Sequence, residues 1–197
     1  MKKNIKLSPK KIKVYMMVVI SLFLLRYIGL FLLCIVKNAS FIHLFKSILF
    51  LNQLAIPLMV LALAYVYLRW EKLNFSINYI IAGVLGVLYL IEMYYIKCKI
   101  VFDSSYGYLV NIKNETPFYL CSLIIMGMLL VFCVYFIDKP HNNRWGIIYL
   151  IIALVFVIIE SILYLGGLRL FPYPILGDAI FIFIMNLAVN TFKKTSR

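Results

Sequence analysis

Six apolar runs, at 14–36, 47–68, 77–95, 117–137, 146–164 and 174–191, leave this chain almost no choice of fold. Each approximates the ~20 residues that cross a hydrocarbon core as an α-helix. A segment surrounded by lipid must satisfy its own backbone donors and acceptors, and helices do so internally. The expected fold is therefore all-α, an integral membrane helical bundle of six transmembrane helices. Connecting segments are short, so 14–191 reads as one bundle between a polybasic tail at 1–13 and a short tail at 192–197. The lysines before the first run resemble the start of a signal peptide. That run is longer than the ~7–15 residues of a signal-peptide apolar segment and lacks a cleavage pattern, so it is expected to be retained.

The start of the second run is open. Residues 41–70 continue without a breaker, and as one helix they would be about 45 Å long at 1.5 Å per residue. A tilt or a short interfacial lead-in carrying His43 and Lys46 would absorb the excess. Pro57 cannot donate to the carbonyl of Gln53, which predicts a kink and a freed acceptor. The longest loop, 96–116, alternates apolar residues through Ile100, Phe102, Tyr106, Tyr108 and Val110 around Asp103, which predicts a small hairpin.

The net charge of +13 comes from Lys and Arg gathered at the tail and at span ends, with no basic helix or stripe for a duplex. Nucleic acid is not an expected partner; the lipid bilayer is. With the N-terminus inside, thirteen Lys and Arg fall on the cytoplasmic side and six (Lys37, Lys46, Lys97, Lys99, Lys113 and Arg169) on the other. Positive charge concentrates on cytoplasmic segments, so both termini are expected inside, with Trp70 and Trp145 at the inner interface. Richness in Ile, Lys and Asn points to a bacterial cytoplasmic membrane.

Against this background four ionisable residues stand out within the runs: Arg26, Glu92, Glu160 and Asp178. A charge at the bilayer centre costs about 2.5–3.5 kcal/mol on insertion scales, so such residues face protein or water and are functional candidates. In this topology the three acids share the outer half with Asn52 and Gln53, and Arg26 lies near mid-depth. Tyr164 follows Glu160 at i+4 on the same helix face. One arginine paired with one acid would simply staple the bundle, but it cannot neutralise three carboxylates. Arg26, Gln53, Glu92, Glu160, Asp178 and Tyr164 are therefore the candidate ligand-binding residues, lining an outward-facing pocket for a small polar or cationic ligand.

Catalytic patterns are missing. The two histidines, His43 and His141, fall on opposite sides, no zinc-protease, nucleophile-elbow or C-x-x-C motif occurs, and no cofactor or metal is expected. Among the four cysteines, Cys34, Cys98 and Cys121 map near the outer face, where free thiols or one disulfide are both open. The expected function is a ligand-binding or sensory membrane module. Its inner loops are short, so it would act through a membrane or cytoplasmic protein partner. The alternative is a small carrier or channel-like protein, which would bind near the midplane and need access from both sides.

Overall fold

A computed structural model of the chain describes residues 10–35, 45–68, 75–103, 107–139 and 142–195, with side chains described from Ile12 to Ala188 of these. The first nine residues, His43, Trp70 and His141 lie outside them, as does Tyr106 of the hairpin tip. The described chain is mostly helical, with helices α1 (Lys10–Ile35), α2 (Asn52–Leu68), α3 (Ser76–Tyr95), α4 (Glu115–Tyr135), α5 (Arg144–Leu165) and α6 (Leu176–Thr195). Five helical segments are long and apolar enough to cross a membrane: Ile12–Ile35, Phe45–Leu68, α3, α4 and α5. In α6 the described apolar stretch, Leu176–Ala188, is shorter.

One helix organises the rest. α2 touches all five other helices. It is apolar on every side, and Ala55, Ala62 and Ala64 let its neighbours approach closely, as expected for a helix enclosed by protein. The other long interfaces join α4 to α5, α5 to α6, and α1 to α2. α3 is peripheral, packing chiefly on α2 and turning Ile80, Val84, Val87 and Leu90 outward. At the end away from the hairpin Gly146 lies directly on the Tyr67 ring, and the Asn143 amide donates to the Tyr67 carbonyl at 2.9 Å. The Asn143 side chain caps α5 by accepting from the Gly146 amide at 3.2 Å.

The second span is helical from Phe45 but interrupted at Phe50 and Leu51. The break therefore falls before Pro57, the residue the sequence marks, which sits inside α2. Through the break the Leu51 amide turns to Ile48 at 3.4 Å and the Gln53 amide to Phe50 at 3.1 Å, both tighter than α-helical pairings. The carbonyls of Ser47 and Leu49, which those amides would otherwise occupy, are released and taken by side chains from other helices. Tyr89 of α3 donates its hydroxyl to Ser47, and Arg26 of α1 donates Nε to Leu49 at 3.0 Å. Lys46, in the lead-in, donates to the Ile96 carbonyl at 2.6 Å.

The loop between α3 and α4 adds a β element to the helical bundle. Strands β1 (Cys98–Asp103) and β2 (Gly107–Ile112) pair antiparallel, with Cys98 opposite Ile112 and Asp103 opposite Gly107. Alternation places Val110 and Ile112 on the bundle, in a cluster with Leu33, Phe50, Phe118, Tyr119, Tyr164 and Tyr173. Gly107 has φ of 79°, and a Cβ there would lie 3.3 Å from the Leu33 carbonyl, so glycine serves both the turn and the close approach to α1.

Candidate functional site

At the hairpin end of the bundle, charges from three helices converge. Arg26 and Asp178 form an ion pair with side chains 0% and 1% exposed. The guanidinium is held on its other sides by backbone oxygens: Nε by Leu49, and Nη2 by Pro174 at 2.7 Å. Arginine suits this place because its planar fork directs several donors along fixed lines, which a lysine ammonium does not.

Glu160 solves a different problem. Its carboxylate accepts from the amides of Leu176 at 3.2 Å and Gly177 at 2.9 Å, capping α6 from a neighbouring helix. The first amides of a helix have no partners within it and carry about half a positive charge, so one carboxylate is neutralised without a second cation. Asp178, in the first turn of α6, benefits from the same field. The helix end thus takes up Glu160's part of the surplus of acid over Arg26 and leaves Glu92. Gly177 allows the approach, since a Cβ there would meet Val157 at 2.5 Å and Glu160 at 3.1 Å.

The loop after α5 covers this network. Gly166 and Gly167 end α5, with Gly167 at φ 78° and the Leu168 amide donating back to Leu163 at 2.9 Å. Tyr164 donates to the Phe171 carbonyl at 2.6 Å and stacks against Tyr119. Arg169 pairs with Glu115 and reaches Asn111 of β2 at 3.4 Å. The Tyr173 hydroxyl accepts from the Val110 amide at 2.8 Å; burial pushes its pKa up to about 12, against a smaller lowering by that amide. In β1, burial raises the Cys98 thiol above its ordinary pKa, partly offset by Lys46. No disulfide joins any of the four cysteines.

Of the six candidate residues, the structure brings Arg26, Asp178 and Glu160 together, with Tyr164 within electrostatic reach of Arg26. Gln53 is half-buried just after the break in the second span. Glu92 is elsewhere. It lines a cleft of about 700 Å³ between the C-terminal end of α3 and the start of α4, with Ile91, Tyr95, Lys97, Lys113, Asn114 and Phe118 among the walls. Cys121 of α4 lies near its carboxylate. Phe118 joins the two regions, since its ring lies edge-to-face on Phe50 at 5.4 Å, at the break.

Several residues that build these regions carry no marker in a single sequence. The freed carbonyls of Ser47 and Leu49 belong to unremarkable positions in an apolar run. Gly177 beside Asp178, and Lys97 and Lys113 flanking the hairpin, are readable only once the helix ends are known. Among the described residues no group of three His, Cys, Asp or Glu side chains is placed to hold a metal ion. Comparison with protein-family models, with curated proteins and with solved structures returned no match, so the site must be read from its own geometry.

Proposed function

We propose that this multi-pass membrane protein is a ligand-binding or sensory module of the bacterial cytoplasmic membrane, with six spans, both termini inside, and a polar ligand bound at its outer side. The observation that carries the reading is the division of labour among the charged groups. Arg26 and Asp178 are paired with each other, and Arg26 and Glu160 are each also held by backbone groups, which suits a rigid frame. Glu92 stands in a cleft with amines and apolar walls, the mixture typical of a small-molecule site. Its volume falls within the ~300–1,000 Å³ usual for such sites. Ligand bound there would press on Phe118 and, through Phe50, on the break in the second span, with Gln53 just after that break and Tyr164 in the same apolar cluster as Phe118. Output would pass to a partner protein as a shift of the peripheral α3 against α2.

A carrier is the second reading, and one observation favours it: an interrupted membrane helix with a cation on its freed carbonyls is an arrangement carriers use to bind substrates. Reconstituted protein under an imposed proton or solute gradient separates the two. The module reading expects flux no greater than in empty vesicles, and ligand-dependent stabilisation that is lost in Glu92→Ala. Gradient-driven flux above the empty-vesicle rate overturns it. Orientation is checked by cysteines introduced at Asp138 and Lys99: impermeant reagent added to intact cells labels position 99 and spares 138.

A further inference from the structure

The α3–α4 cleft has a vertical order of chemistry. At its mouth stand Lys97 and Lys113, both exposed, joined by a 2.8 Å bond from the Lys113 amide to the Lys97 carbonyl. Lys46 is adjacent, its ammonium on the Ile96 carbonyl. Three amines at one interfacial position favour phosphate, which lysine binds as a point charge. Glu92 lies about four residues below Ile96, ~6 Å deeper at the helical rise. Ile91 and Phe118 stand at about its level, Tyr95 and Pro117 lie between it and the mouth, and deeper on the same face of α3 are the exposed Leu88 and Val84. The lining residues Ile91 and Tyr95 are exposed on the outer flank of the bundle, beside Leu90 and Tyr94. A ligand that is anionic at the interface and apolar at depth, entering from the side, is an amphiphile of the outer leaflet.

Glu92 narrows the class. Its carboxylate is an acceptor at the depth where a phospholipid's glycerol lies when its phosphate is level with the lysines. A diacyl lipid offers only ester oxygens there, and acceptor against acceptor is repulsive. A single-chain phospholipid carries a free glycerol hydroxyl, a donor. We propose that the cleft binds a lysophospholipid, phosphate between Lys97 and Lys113, glycerol hydroxyl on Glu92, and its one acyl chain along Ile91 and Phe118. This assignment rests on reading the cleft as the ligand site.

The test uses the full chain in phosphatidylcholine nanodiscs with radiolabelled 1-oleoyl lysophosphatidylglycerol. Expected competition is strongest by the unlabelled compound and weaker by about tenfold or more for its 2-O-methyl ether and for dioleoyl phosphatidylglycerol, the effect of one hydrogen bond to a charged group. Inorganic phosphate does not compete. Lys97→Ala with Lys113→Ala weakens binding of the lysolipid and its ether alike, and Glu92→Ala removes the difference between them. Equal binding of lysolipid and methyl ether to the unaltered protein overturns the assignment without recourse to any variant, and so does competition by inorganic phosphate. If the lysolipid fails while a soluble polar compound stabilises the protein in a Glu92-dependent way, the lipid assignment falls and the module reading stands. Gradient-driven flux instead removes the module reading itself.

Discussion

Gly177 sets the first amides of α6 against the carboxylate of Glu160, 17 residues earlier in the chain, and no larger residue fits between them. A methyl group there would lie 2.5 Å from Val157 and 3.1 Å from Glu160. Gly177→Ala is therefore expected to push α6 away from its cap and to destabilise by about 1–3 kcal/mol, the usual cost of overpacking. Glu160→Gln, which keeps one acceptor, should cost less than Glu160→Ala, which leaves two amides unpartnered. Unfolding titrations in mixed micelles measure all three; equal stability of Gly177→Ala and the parent protein would refute the capping geometry.

The Arg26–Asp178 pair leads to an asymmetric expectation. Removing either partner leaves the other charged, buried and unmatched, and should cost about 3–5 kcal/mol. Replacing both, as Arg26→Met with Asp178→Leu, should restore much of that loss, because a buried pair contributes little beyond a well-packed apolar substitute. The Leu49 and Pro174 carbonyls would still lose their donor, so recovery should be incomplete. Arg26→Lys should fall between, keeping charge but losing the fork. A double-mutant cycle on unfolding free energies gives the coupling directly; additive effects would mean the two residues act independently.

What the sequence made legible was the apolar frame. Run lengths fix where helices lie because lipid allows little else, and the helices begin and end within a few residues of the apolar runs. The hairpin was legible too, from alternation through Ile100, Phe102, Tyr108 and Val110. The break in the second span was not. Pro57 is a visible perturbation, yet the interruption lies at Phe50 and Leu51, where the competing partners are the side chains of Arg26 and Tyr89. Such a break is a tertiary event, decided by groups 23 and 42 residues away. For the same reason Glu92 could not be separated from the other acids by depth alone, since depth says nothing of which neighbours a helix face meets.

At the end of the bundle away from the hairpin Gly146 has no room for a side chain, because a Cβ would overlap the ring of Tyr67. Gly146→Ala should be among the more damaging single methyl additions in the protein. Combining it with Tyr67→Leu should be less damaging than the separate effects predict, since the smaller side chain removes the clash. Tyr67→Leu alone should cost something, having lost packing and the 3.4 Å bond from its hydroxyl to Ile184. Thermal melts of the four proteins test this, and strictly additive losses would show that the contact does not set the α2–α5 spacing.

Tyr173 ties β2 to the loop that covers the charged network, and its ionisation should loosen that tie in alkali. Folding raises its pKa from about 10 to about 12 because burial disfavours phenolate. The neutral form is thus the one the folded state prefers. Its contribution is fully present below pH ~10 and is lost as pH rises through about 12, since the unfolded chain gives up the proton first. Hairpin docking, followed as thiol-reagent access to Cys98 at fixed thiolate concentration, should therefore weaken across that window. Tyr173→Phe removes the titrating group and leaves the buried Val110 amide without its 2.8 Å acceptor. That variant should show faster reaction at neutral pH, by the effect of about 1–3 kcal/mol for an unpaired buried donor, and a flatter rise in alkali. An unchanged alkaline rise in Tyr173→Phe would assign the loosening to another group.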